Sequence, residues 1–256
     1  MLAPNEDRRS TNSGVPADQV PRPSHLRMSS PPPQQRYTNY LIGPEDLDTR
    51  LAKALVDADV SRVDQSSALL FLAPLKEKHL PTYYHCVRVG LLAAAIARHE
   101  SLDPRALLLA GLLHDCGKAL CSFELLDKTA GWNDDDSAVM QLHVVDGHRL
   151  LRGRFDFTAD VIARHHTFQA DPYPTGLPSF LHTYSAVTLE KINLYARILA
   201  LADSFDALHR INGRNGSSRA LDGVEIREAM LEANPDQRAR ILALYEAGIF
   251  TTHVAS

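Results

Sequence analysis

Residues 81–98 read PTYYHCVRVGLLAAAIAR, in which Val87, Leu91, Leu92, Ala95 and Ile96 recur at the spacing of one helix face. Pro81 suits the start of that helix, because the first turn makes no use of the amide that proline lacks. His85 interrupts the apolar pattern. A ring placed there is more often a hydrogen-bonded core residue than a ligand, so His85 alone decides nothing.

The same helical period extends outward on both sides. Gly43-Pro44-Glu45-Asp46 reads as a helix start followed by Leu47, Leu51, Ala54 and Leu55, and Pro104 opens another helix through Leu107, Leu108 and Leu112. Further helices are expected near 137–151, 156–167, 187–209, 223–233 and 236–247. Pro172, Pro174, Gly176 and Pro178 mark 168–186 as irregular. No useful alternation of strand period occurs, so the fold class is all-α.

The chain has 256 residues, 45% hydrophobic and 23% charged, enough to bury a core. Its 27 Lys and Arg against 31 Asp and Glu give a net charge of -4, which argues against long nucleic acid as a partner. Cys86, Cys116 and Cys121 form no CxxC element, and the start MLAPNEDRRS has no apolar leader. No apolar run approaches the roughly 18 to 20 residues of a membrane span, and the expected location is cytoplasmic. Residues 1–38 hold Pro4, Pro16, Pro21, Pro23, Pro31, Pro32 and Pro33 among few apolar side chains, and read as a disordered tail. Residues 39–256 read as one helical domain.

Twelve histidines are distributed informatively. His114-Asp115 and His165-His166 are adjacent ligand-type pairs, and neighbouring helical residues diverge by about 100°, which suits two ions better than one. His143 begins HVVDGHRLL, and Asp203 interrupts ARILALADSFDAL at 196–208. A buried ionised carboxylate such as Asp203 requires pairing, hydrogen bonds or a metal. Nitrogen and oxygen ligands point to iron, manganese, nickel or zinc.

The order His85, HDCGK at 114–118, His143, HH at 165–166 and ADSFDAL at 202–208 resembles the HD superfamily of metal-dependent phosphohydrolases. FELLDKTAGWNDDDSAVMQLHVVDGHRLL at 123–151 and RILALADSFDAL at 197–208 are similar to its HD-GYP subgroup. The resemblance covers about residues 80–215 and implies an HD-domain helical bundle with a central bimetal site. Its ligands would be His85, His114, Asp115, His143, His165, His166 and Asp203, with Asp115 bridging two divalent ions, iron or manganese. Pro81 stands where three-metal members place a glutamate, favouring two. The implied reaction is hydrolysis of cyclic di-GMP, a small cyclic dinucleotide, to a linear dinucleotide.

Asp115 and Lys118 are then the catalytic candidates, and Lys118, Lys128, Tyr173 and Arg214 the candidate substrate contacts. The bland alternatives are a solvated lysine at 118 and an ordinary turn around Arg214. Asp206 is expected to support a ligand or a helix contact, His148 to lie behind the ligands or on the surface, and Asp134, Asp135 and Asp136 to cap a helix. The subgroup's GYP element is altered, with Thr167 after the His pair and Pro172 before Tyr173 and Pro174. About nine extra residues follow, and 178–188 reads as a lid or a plain surface loop. Other readings stay open: another phosphate ester, a diiron oxygenase, or a cyclic-dinucleotide-binding module without turnover. An apolar helix face at 45–72 would serve a homodimer or pack on its own core.

Overall fold

The computed structural model describes residues 44–128, 130–209 and 221–251. These lie in the second of two units, Gln35–Ser256. The tail at 1–38 and Arg214 fall outside the described residues. Every regular element among the described residues is helical.

The apolar face at 45–72 is carried by two helices, α1 (Pro44–Asp57) and α2 (Arg62–Lys78). The chain turns at Asp59, whose φ of 51° is one that aspartate tolerates, and Ser61 caps α2 by accepting from the Asp64 amide. Leu47, Leu51, Leu55, Leu72 and Leu75 are buried, so this segment packs on its own core. Val56, Val63 and Leu70 remain exposed.

α3 (Leu80–His99) runs through the middle of the core and packs against α1, α2, α4 (Pro104–Leu113) and α8 (Ala186–Leu208). Its crossing with α4 is set by two glycines. A Cβ on Gly111 would lie 2.5 Å from the Gly90 Cα, so nothing larger fits between these backbones. That approach places His85, on α3, beside His114 at the end of α4.

After α4 comes a tight 3-10 turn, Cys116–Leu120, then α5 (Phe123–Leu126) and α6 (Asp134–Leu151). Asn133 and Asp136 form a reciprocal cap at the start of α6, which begins at 134 rather than 137 and takes the acidic run into its first turn. α7 (Asp156–Ile162) ends before the position expected from sequence, at 162 rather than 167. His165 and His166 follow in turn backbone. α8 is capped by Ser185, and α9 (Gly223–Ala233) by a reciprocal Asp222–Glu225 pair; α10 (Arg238–Glu246) follows. Among the described residues no helix is long and apolar enough to cross a membrane.

Candidate metal centre

Five elements and the turn after α7 deliver the ligand candidates. His85 comes from α3, His114 from the end of α4, Asp115 from the head of the 3-10 turn, His143 from α6 and Asp203 from α8, while His165 and His166 follow α7. All but Asp203 are buried, and Asp203 is 13% exposed at the mouth. All seven candidates therefore come together.

Hydrogen bonds define which ring nitrogens face inward. His114 Nδ1 donates to the Gly111 carbonyl at 2.8 Å, His143 Nδ1 to Met140 at 2.5 Å and His165 Nδ1 to Ile162 at 2.5 Å. A carbonyl only accepts, so each Nδ1 carries the proton and each Nε2 is left to present a lone pair. His85 Nδ1 donates to Asp206 Oδ2 at 2.7 Å, which directs its Nε2 inward too. The Gln169 amide nitrogen donates to His166 Nδ1 at 2.6 Å, and turning that amide over would instead offer its oxygen to a proton on Nδ1.

His114 Nε2 and His85 Nε2 lie 3.2 Å apart, within hydrogen-bond distance, while other inward atoms have no partner. His143 Nε2 sits 3.2 Å from Asp115 Oδ1, and neither atom has a hydrogen-bond partner; His165 Nε2 is equally orphaned. The other oxygen, Asp115 Oδ2, faces His114 Nε2 at 3.4 Å and His85 Nε2 at 3.5 Å. Asp203 Oδ1 lies 3.1 Å from His85 Nε2 and 3.7 Å from His114 Nε2. Buried lone pairs aimed at a carboxylate oxygen repel unless a cation lies among them, so the donor set fits metal ions. Three overlapping groups have ligand atoms close enough to hold an ion: His85, His114 and Asp115; His143, His165 and His166; His114, His165 and Asp203.

Electrostatics agree with this geometry. Burial opposes charge on His114, but Asp115 and Asp203 override it and lift its pKa from 6.5 to about 10. Burial likewise opposes charge on Asp115, yet His114 and Lys118 hold its carboxyl well below the usual range. Asp203 is depressed in the same way, its burial outweighed by His114 and His85. Burial, followed by His114, drives His165 down to about 3, and burial with His165 drives His166 well below its ordinary value. Two ionised carboxylates thus favour a proton on His114, one that a bound cation would displace, while His165 and His166 are held neutral.

The remaining candidates divide. Lys118 Nζ donates to Asp115 Oδ2 at 2.6 Å from a partly exposed position, on the rim of the cluster. Tyr173 stacks on His166 with ring centroids 4.3 Å apart and meets His143 edge-on at 6.2 Å. Lys128 instead pairs with Asp136 at 2.5 Å, with no contact to the ligand cluster. His148 is neither on the surface nor against a ligand; it is buried, 3.3 Å from Asp160. Cys116 is a buried core residue whose Sγ approaches the Gly147 carbonyl.

Two supporting residues escape a reading of the sequence. Arg88 donates to both oxygens of Asp206, at 2.6 and 3.1 Å, completing an Arg88–Asp206–His85 chain behind the site. Gln169 orients His166. Each stands three residues after the histidine on its own segment, a spacing that signals a shared face but not the partner across the fold.

Residues 82–208, about half of the chain, match the family HD domain, and the chain belongs to that family. It is 35% identical over 170 residues to "Cyclic di-GMP phosphodiesterase PA4108" of Pseudomonas aeruginosa, covering 63% of this chain and 39% of that protein. It is 29% identical over 158 residues to "3'3'-cGAMP-specific phosphodiesterase 1" of Vibrio cholerae, covering 59% and 34%. Against "Cyclic di-GMP phosphodiesterase response regulator RpfG" of Xanthomonas campestris pv. campestris it is 36% identical over 124 residues, covering 46% and 30%. The matched region thus spans between 30% and 39% of the length of these curated relatives.

Proposed function

We propose that this chain is a metal-dependent phosphodiesterase of the HD-GYP subgroup that opens cyclic di-GMP to a linear dinucleotide. The observation that carries this reading is the convergence of histidine Nε2 lone pairs on Asp115, whose two oxygens face two separate histidine groups. Relatives that act on cyclic dinucleotides support the substrate class.

His85, His114 and Asp115 would hold one divalent ion and His143, His165 and His166 the other, with Asp115 between them and Asp203 at the open side. Iron or manganese suits these nitrogen and oxygen ligands. A pair of such ions supplies Lewis acidity and a water acidic enough to act as hydroxide near neutral pH. The chain's own residues do the rest. Asp206 and Arg88 keep His85 in the tautomer that coordinates. Lys118, on the rim, places its ammonium against a substrate phosphate oxygen and offsets charge as the phosphorus becomes five-coordinate. Tyr173, stacked on His166, presents a ring edge and hydroxyl to an entering guanine.

We read the location as cytoplasmic, in keeping with three free cysteines. A homodimer would use the exposed Val56, Val63 and Leu70 of α1 and α2, and sedimentation at micromolar concentration tests it.

The functional test is turnover of cyclic di-GMP and 3'3'-cGAMP by protein purified without oxygen and quantified for metal, beside Asp115→Ala. Linear product that requires metal and disappears in the variant supports the reading. No product from protein holding about two ions per chain refutes it.

A further inference from the structure

The long segment 168–185 is anchored at both ends. At its start, Gln169 and Tyr173 lie against His166. At its end, the anchor is Asp160, a fully buried carboxylate on α7 between Ala159 and Val161. Its Oδ2 accepts from the Tyr184 hydroxyl at 2.8 Å and from the Leu181 amide at 3.3 Å, while Oδ1 lies 3.3 Å from His148 Nε2 on α6. The Asp160 carbonyl accepts from Arg164, and the Arg164 guanidinium lies 4.0 Å from the Phe180 ring centre. Arg164 immediately precedes the ligand pair His165-His166.

A carboxylate at zero exposure is costly unless every oxygen is used, and here both oxygens are used by groups from the segment and from α6. A plain surface loop would not need a buried anchor. This one carries Phe168, Tyr173, Phe180 and Tyr184, and Tyr173 already touches a metal-ligand candidate.

We propose that Asp160 is a positioning residue that clamps 178–185 through Tyr184 and Leu181, making the 168–185 segment a fixed wall of the site that selects a two-base substrate over a small phosphate diester. The selectivity half rests on the phosphodiesterase reading above. The cyclic dinucleotide extends past the reacting phosphate and must meet the wall beyond Tyr173. A small diester needs only the ligand cluster and Lys118. Loosening the wall therefore raises KM for the large substrate and spares the small one.

Tyr184→Phe removes one hydroxyl and keeps the ring, and Asp160→Asn keeps the shape but not the full set of acceptors. Hydrogen exchange over 177–185 is measured on metal-loaded protein, together with bound metal and turnover of cyclic di-GMP and bis(p-nitrophenyl) phosphate. In both variants exchange over 177–185 quickens about tenfold, as loss of an anchoring hydrogen bond implies. KM for the cyclic dinucleotide rises by a similar factor, with kcat and small-diester kcat/KM within about twofold and metal content unchanged. Unchanged exchange in both variants overturns the clamp, and equal losses on both substrates overturn the selectivity. Wild-type protein that cleaves the small diester but no cyclic dinucleotide overturns the selectivity and the cyclic-dinucleotide reading together, while the exchange result still judges the clamp.

Discussion

Gly117 is the point where the turn carrying Asp115 meets the helix carrying His143. A Cβ built on Gly117 would stand 2.0 Å from the His143 carbonyl oxygen, 2.6 Å from the Gly147 amide nitrogen and 2.8 Å from the His143 carbonyl carbon. All three are main-chain atoms, so no side chain can swing aside. Restoring an ordinary contact of about 3.5 Å requires the turn and α6 to part by about 1.5 Å. Overpacking of this kind costs about 3 kcal/mol, which lowers the melting temperature of a domain this size by about 6–12 °C. The same displacement separates His143 Nε2 from Asp115 Oδ1, now 3.2 Å apart, across the two proposed ion positions. Gly117→Ala is thus expected to lose both stability and metal.

Gly147 provides the control, because it lies in the same contact from the opposite side. A Cβ there meets the Ile162 Cδ1 at 3.2 Å, the Cys116 Sγ at 3.5 Å and the Gly117 nitrogen at 3.5 Å. The tightest neighbour is the end of a flexible side chain, and alanine gains up to about 1 kcal/mol in a helix interior. Gly147→Ala is expected to melt within about 3 °C of wild type and keep its metal. Thermal unfolding with metal analysis of both variants decides the matter. Gly117→Ala with wild-type stability and full metal content would refute this account of how the site is assembled.

Asp206→Asn removes the charged acceptor behind His85, and metal affinity in a chelator competition should fall about 10- to 100-fold; unchanged affinity would deny Asp206 its orienting role. Lys118→Met should lower kcat about 100-fold with bound metal retained, as measured by turnover with parallel metal analysis; full kcat would remove Lys118 from the reaction. For protein stripped of metal, stability should peak near pH 6.5. His114, raised to about 10, contributes stability that is complete below 6.5 and lost as pH climbs toward 10. His165, lowered to about 3, resists a proton the unfolded chain accepts, so stability also falls as pH drops from 6.5 toward 3. Urea midpoints between pH 4 and 9 test this, and a maximum beyond 5.5–7.5 would contradict it.

The helices were legible because their ends carry local chemistry. Pro44 and Pro104 mark their boundaries within the sequence itself. Boundaries shaped by tertiary contacts were less so. The expected helix at 156–167 stops at Ile162 because the chain turns to aim both His165 and His166 inward, their ring centroids only 3.8 Å apart. A continuous helix would have sent those rings in diverging directions. The Asp59 turn similarly breaks the apolar segment at 45–72 so that both halves reach one core.

That these His and Asp side chains converge was legible for a different reason: polar residues on apolar helices must be satisfied, and their order resembles one family. What supports those ligands was not. Arg88 and Asp206 meet across 118 positions, and Asp160 meets Tyr184 across 24 positions and a loop of no regular period. Such pairs follow from the path of the backbone, which no local pattern encodes. Lys128 shows the converse, since a lysine in a recognisable element is engaged by Asp136 at the cap of α6. Residue type and spacing identify which side chains face inward; only the packing of α3, α4 and α6 through Gly90, Gly111 and Gly117 brings them within reach of common ions. The glycines are therefore as much a part of the candidate metal centre as the histidines, and Gly117→Ala is the substitution that separates the two contributions.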